Sequence, residues 1–179
     1  MNSKISRAIK NRSVAKDVFY TPEAVAKRHI SLISLAGSDT WLDPFRGKGI
    51  YYDNFPVSQS QTTTSLGESK DWCEIEDGKD FFSYVGTPSI ICSNPPYSLL
   101  DKVFEKSIEL KPRVISYLLL HGAMTPRRME MFNEAGYGLT SIYITKVYKW
   151  YGMAEAYTFE YGKPNVASIT YDRVVHKSI

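Results

Sequence analysis

The chain has 179 residues, is 43% hydrophobic and carries a formal net charge of +3, which suits one globular domain with a sizeable core and leaves no room for two ordinary ones. No stretch approaches the roughly 18 consecutive apolar residues of a membrane span, and the basic start has no apolar run behind it, so neither a spanning helix nor a secretory leader is expected. Cys73 and Cys92 lack the spacing of a metal knuckle, and both are expected to be reduced in a cytoplasmic setting, or a nuclear one in a eukaryotic host.

Along the chain, Lys4, Arg7, Lys10, Arg12 and Lys16 come before any acidic residue. Residues 1–17 therefore read as a basic arm that either follows phosphates or is simply solvated, and residues 18–179 as the domain itself. Thr21-Pro22 has the form of a helix start, with a capping hydroxyl and a first-turn proline, and Val25, Ile30 and Ile33 extend the helix over 22–35. Thr40-Trp41-Leu42 reads as a short strand ending at Asp43-Pro44, and the polar run from Ser58 to Ser65 as a surface loop. Ser89 to Cys92 is an apolar strand that stops at a proline pair. Leu99 to Leu110 has helical spacing, and Val114 to Leu120 is continuous enough to be a central strand covered on both faces. Pro126 to Ala135 forms a further helix before Gly136. Two β-rich segments, Leu139 to Lys149 and Ala156 to Asp172, follow and suggest an antiparallel hairpin. Strands alternating with helices predict an open, mostly parallel α/β sheet, with ligands at the carboxyl ends of its strands.

Two motifs fall at such ends. Asp43-Pro44-Phe45-Arg46-Gly47-Lys48-Gly49 runs from a strand into a Gly-x-Gly turn, where glycine lets the backbone come close to a ligand. Asn94-Pro95-Pro96-Tyr97 follows the Ser89–Cys92 strand. Its prolines stiffen the loop and remove two donors, leaving carbonyls free to accept. With the amide oxygen of Asn94 and the flat face of Tyr97, the loop describes a grip on a planar amine.

Over residues 18 to 120 these parts, in this order, resemble the class I amino-methyltransferases that modify adenine N6 or cytosine N4. The resemblance implies a Rossmann-like fold with a seven-stranded, mostly parallel sheet, an antiparallel C-terminal strand and helices on both faces. It also implies S-adenosylmethionine as cofactor. Tyr20-Thr21-Pro22 looks like the motif that touches the methionine part of that cofactor, and Asp43, Phe45, Gly47 and Gly49 fall in its cofactor loop. The family's ribose carboxylate follows the second strand. Glu68 stands nineteen positions beyond Gly49, near the roughly 20-residue offset of related dinucleotide folds, and Asp71 is the alternative. Asp80 and Phe81 fit the family's contacts to the adenine ring. Asn94, Pro95, Pro96 and Tyr97 match the catalytic motif, with the ring of Tyr97, not its hydroxyl, expected to stack on the base.

The activity so implied is methylation of an exocyclic base amine in DNA or RNA, adenine N6 above all, without a metal. A duplex target has to be flipped out to reach such a loop. Target recognition is expected to be minimal or to come from a protein partner or a second copy of the chain. Methylation of a glutamine amide in protein is the rival enzyme reading, and a non-catalytic binding subunit the rival from another class. His29, His121 and His176 show no metal spacing, and His121, at a strand's carboxyl end, reads as structural before it reads as part of a substrate cleft. Tyr148, Trp150, Tyr151, Tyr157 and Tyr161, interleaved with Lys146, Lys149 and Lys163, read first as a hairpin packing aromatics across strands and second as a platform for unpaired bases.

Overall fold

The computed structural model describes residues 20–36, 39–56, 70–148, 150 and 152–177. The expected basic arm, the polar run from Ser58 to Ser65, Glu68, Lys149 and Tyr151 lie outside them. Strands β1 (Trp41–Asp43), β2 (Lys70–Trp72), β3 (Ile90–Ser93), β4 (Val114–Leu120), β5 (Tyr137–Tyr148), β6 (Ala154–Tyr161) and β7 (Ser168–Lys177) form one sheet in the order β2-β1-β3-β4-β6-β5-β7. The pairs β2–β1, β1–β3 and β3–β4 are parallel, while β6 runs antiparallel to both β4 and β5.

The β-rich end thus completes the sheet with an antiparallel strand, as expected. The Ala156–Asp172 segment, however, is two strands. Gly162, in the left-handed region at φ 71°, turns the chain after β6, and β7 then lies parallel to β5 on its far side.

Neighbouring residues of a strand point to opposite faces, and both faces are covered. On one, α1 (Glu23–Ser31) and α2 (Ile50–Asn54) pack with Trp41, Ile90, Cys92 and Val114. On the other, α3 (Leu100–Glu109) and α4 (Pro126–Glu134) pack with Leu42, Ile91 and Ile115, and Phe132 of α4 stacks on Phe159 at 4.0 Å between centroids. β4 is buried from Val114 to Leu119 because it has elements on every side.

Helix α1 departs from the 22–35 expectation. Pro22 is its cap residue, and the Pro22 carbonyl takes the Val25 and Ala26 N–H groups. The Thr21 hydroxyl is left for a tertiary contact. At the other end the Ser31 hydroxyl donates to the Arg28 carbonyl, a side-chain bond that competes with the helical ladder and accompanies its end. By contrast, the Thr125 hydroxyl caps α4, accepting from Arg128 N–H.

Strand succession reverses between β1 and β3, so the crevice of an open α/β sheet opens there at the carboxyl ends. The loops after β1 and β3 flank it.

Candidate active site

Asp43 closes β1 and is almost fully buried. Its Oδ1 accepts from Phe45 N–H at 3.3 Å and from the Ser93 hydroxyl at 2.7 Å, and its Oδ2 accepts from Tyr52 N–H at 3.2 Å. One carboxylate thus ties together the glycine loop, the first turn of α2 and the end of β3. Burial raises its pKa to about 6, even though these bonds and Arg46 pull it down.

The loop itself needs its glycines. Gly47 and Gly49 have φ of +47° and +87°, where a side chain is strained. A Cβ on Gly49 would also come within 2.9 Å of an Asp53 carboxylate oxygen. Arg46 folds back, its guanidinium 4.5 Å from the Trp72 ring centroid, and its N–H donates to the Cys73 carbonyl at 3.0 Å.

Just beyond β2, Glu74 accepts from Gly47 N–H at 2.8 Å through Oε2 and from Glu76 N–H at 3.4 Å through Oε1. It borders a cavity of about 280 Å³ whose walls include Tyr20, Thr21, Phe45, Gly47, Ile75, Asn94, Pro95 and Pro96. The two loops and the Tyr20-Thr21 segment therefore meet in one cavity.

Asn94 stands at their junction. Its Nδ2 donates to the Thr21 hydroxyl at 3.2 Å, and its Oδ1 accepts from the Tyr97 hydroxyl at 3.1 Å. Thr21 is held in turn by α1, which a buried polar chain fastens to the sheet. His29 Nδ1 meets the Tyr51 hydroxyl at 3.0 Å, its Nε2 meets the Ser116 hydroxyl at 2.7 Å, and Ser116 reaches Thr158 at 2.7 Å. Burial lowers the His29 pKa to about 3, so the ring is neutral and bonds through both nitrogens.

The remaining expected site residues, Asp71, Asp80 and Phe81, are not part of this cavity's wall. The Asp71 carboxylate accepts from its own Trp72 N–H and is not part of the cavity wall, whereas Glu74 is. Asp80 caps a 3-10 turn, accepting from Phe82 N–H at 3.1 Å and from the Ser83 hydroxyl at 3.2 Å. Phe81 is buried behind Phe45, with ring centroids 5.4 Å apart. Glu74 and Ile75 carry no mark in the sequence beyond an acidic residue directly after the apolar pair Trp72-Cys73. Among the described residues no three His, Cys, Asp or Glu side chains converge to hold a metal ion.

A half-buried carboxylate beside a glycine turn suits a vicinal diol, Phe45 and Ile75 offer apolar contact to a ring, and the proline loop offers acceptors to an amine. No protein-family model matches the chain, and no curated protein sequence does.

Solved structures do match. A protein described as a class I S-adenosylmethionine-dependent methyltransferase from Listeria monocytogenes superposes at a TM-score of 0.62 with 11% identity, over 92% of this chain and 66% of that one. One described as the modification subunit of a type I restriction enzyme from Vibrio vulnificus gives 0.58 with 14% identity, over 96% and 50%. A third, described as an RNA methyltransferase from Pyrococcus horikoshii, gives 0.53 with 15% identity, over 90% and 98%. The fold is accordingly the Rossmann-like class I methyltransferase fold. The chain spans half the length of the Vibrio subunit.

Proposed function

We propose that the chain is an S-adenosylmethionine-dependent methyltransferase acting on the exocyclic amine of a nucleic-acid base, adenine N6 above all. The observation that supports this best is the placement of Asn94, held between Thr21 and Tyr97 at the mouth of the cavity that Glu74 and Gly47 border. An amide oxygen has two lone pairs. Tyr97 engages this oxygen in the structure, and in the proposed complex the same oxygen accepts an N–H of the target, with the Pro95 carbonyl as the second acceptor. Two acceptors on the amine draw its lone pair out of conjugation with the ring and stabilise the positive charge that develops on nitrogen. The ring of Tyr97 stacks on the base, and the rigid proline pair keeps these groups in register.

The cavity's donor set fits the cofactor. Glu74 takes the ribose hydroxyls, Phe45 and Ile75 lie against the adenine ring, and Tyr20, Thr21 and Pro22 border the methionine part. Gly47 and Gly49 allow close backbone approach, while Asp43 holds their loop and Asp80 and Phe81 support Phe45 from behind. When bound, S-adenosylmethionine supplies a methyl group activated on a sulfonium. Solved neighbours described as a restriction-modification subunit and an RNA methyltransferase agree with a nucleic-acid substrate, and a partner protein or a second copy supplies target recognition.

Single-turnover transfer of labelled methyl to adenine-containing DNA and RNA oligonucleotides, with a glutamine-bearing peptide in parallel, tests the reading. Asn94→Ala is expected to lower the rate by at least about a hundredfold while cofactor affinity changes little. Transfer at the parental rate in that variant overturns it.

A further inference from the structure

The two faces of the sheet are unequally covered near β7. On β5, Tyr143, Thr145 and Val147 are buried, whereas Ile144 is half-buried and Lys146 is exposed on the opposite face. The register carries that second face onto β7, pairing Ile144 with Tyr171, Lys146 with Val175 and Tyr148 with Lys177. Helix α4 packs on β5 and, through Phe132, on Phe159 of β6, and the core cluster it belongs to reaches Ile142 and Tyr157. Beyond that margin Ile144, Ile169, Tyr171 and Val175 join no core cluster, and the last three are 62%, 62% and 54% exposed.

The charge on this face is one-sided. Lys146 and Lys177 are exposed, while Glu155, on β6 opposite Ile144, is buried and committed to His121 Nδ1 at 2.8 Å and to the Tyr157 hydroxyl. Exposed aromatic and branched side chains flanked by lysines whose neighbouring carboxylate is taken make a surface complementary to bases on a phosphate backbone.

Position agrees with charge. β5 and β7 run in the same direction as β3 and β4, so Lys146 and Lys177 lie at the edge of the sheet where the Asn94 loop leaves β3. His121 leaves β4 at the same edge, between that loop and the exposed face. Four strand spacings of about 4.8 Å put β7 about 19 Å from β3.

We infer that this open face of β5 and β7 binds the unpaired nucleic-acid strand that flanks the target base. Tyr171 stacks on a base, Ile169 and Val175 lie against sugar and base, and Lys146 and Lys177 meet phosphates. The inference rests on the base-amine reading, and its test needs no methyl transfer.

The probe is a fluorescein-labelled single-stranded DNA of twelve nucleotides, thymine apart from one adenine, titrated with the full chain without cofactor and followed by anisotropy at several salt concentrations. Tyr171→Ala is expected to weaken binding about 5- to 150-fold. Lys146→Ala with Lys177→Ala is expected to lower the slope of log affinity against log salt by about 1.4, the loss of two single-strand phosphate contacts. Lys27→Ala with Lys111→Ala, the first on α1 at the other face of the sheet and the second before β4 at its opposite edge, should change neither.

Parental affinity and salt slope in both sets of face variants overturn the inference, as does a parent that does not bind the oligonucleotide. So does a parent that sediments as a dimer and becomes monomeric on Tyr171→Ala with oligonucleotide affinity intact, because a second copy then covers the face. Face-dependent binding without methyl transfer in the parent would remove the amino-methyltransferase reading and leave this surface standing. Transfer indifferent to the face variants would do the reverse.

Discussion

Replacing Glu74 tests whether this carboxylate, and not Asp71, holds the ribose of the proposed cofactor. Glu74 borders the cavity and holds Gly47 N–H at 2.8 Å, whereas Asp71 bonds its own strand's backbone outside the cavity wall. A hydrogen bond to a charged group contributes about 1.5–3 kcal/mol. Glu74 is only half-buried, so water replaces part of what it loses, and one such bond sets the scale. Glu74→Ala should therefore weaken S-adenosylmethionine binding about 10- to 150-fold. Glu74→Gln, which keeps one acceptor oxygen of similar reach, should fall between parent and alanine. Asp71→Ala should stay within about threefold of the parent, about 0.6 kcal/mol. Isothermal titration with S-adenosylmethionine and with S-adenosylhomocysteine measures all three, and the second ligand shows whether the loss resides in the shared nucleoside part. Parental affinity in folded Glu74→Ala, with a loss in Asp71→Ala, would refute the assignment.

Gly47→Val places a β-branched residue at φ +47° and its methyls at the cavity, so it should cost about 1–2 kcal/mol of stability by urea unfolding and weaken cofactor binding by calorimetry. Tyr97→Phe removes the hydroxyl that Asn94 accepts, a neutral bond of about 0.5–1.5 kcal/mol; single-turnover transfer should slow about 2- to 13-fold with cofactor affinity unchanged. The raised pKa of Asp43, about 6, means the folded state holds this proton more tightly than the unfolded state. Its contribution to stability is fully present below the unfolded pKa of about 4 and is lost as pH rises through 6. Measured by chemical denaturation, the stability of the parent relative to Asp43→Asn should fall by about 2 kcal/mol between pH 4 and pH 7, and parallel curves would contradict this origin of the shift.

The parts of the site that are contiguous in sequence are legible there. Asp43 to Gly49 and Asn94 to Tyr97 each follow a strand of three or four buried residues, and a polar or glycine-rich stop after an apolar run is a local signal. Glu74 escapes that logic because β2 is three half-buried residues, Lys-Asp-Trp, with no alternation to mark it. The carboxylate then arrives twenty-five positions after Gly49 and not near twenty. The hydroxyl of Thr21 misleads in another way: the residue types fit a helix cap, but a tertiary partner outcompetes the local one. The end of the chain was legible as β-rich, yet the parallel placement of β7 beside β5 depends on where β6 inserts, a contact between β4 and β6 that no local pattern encodes.

Polar contacts between distant segments organise this site more than its loops do individually. Asn94 and Thr21 are 73 residues apart, and Asp43 and Ser93 are 50 apart. His29, Tyr51, Ser116 and Thr158 join two helices and two strands through the interior. Buried polar groups are costly unless every partner is present, so this chain of bonds favours one placement of α1 over nearby ones that apolar packing alone would tolerate. That placement brings the Thr21 hydroxyl to Asn94, and Tyr97 holds the other side of the same amide. The orientation of the proposed catalytic group is thus a property of the assembled sheet, and a peptide carrying Asn-Pro-Pro-Tyr by itself lacks the means to reproduce it.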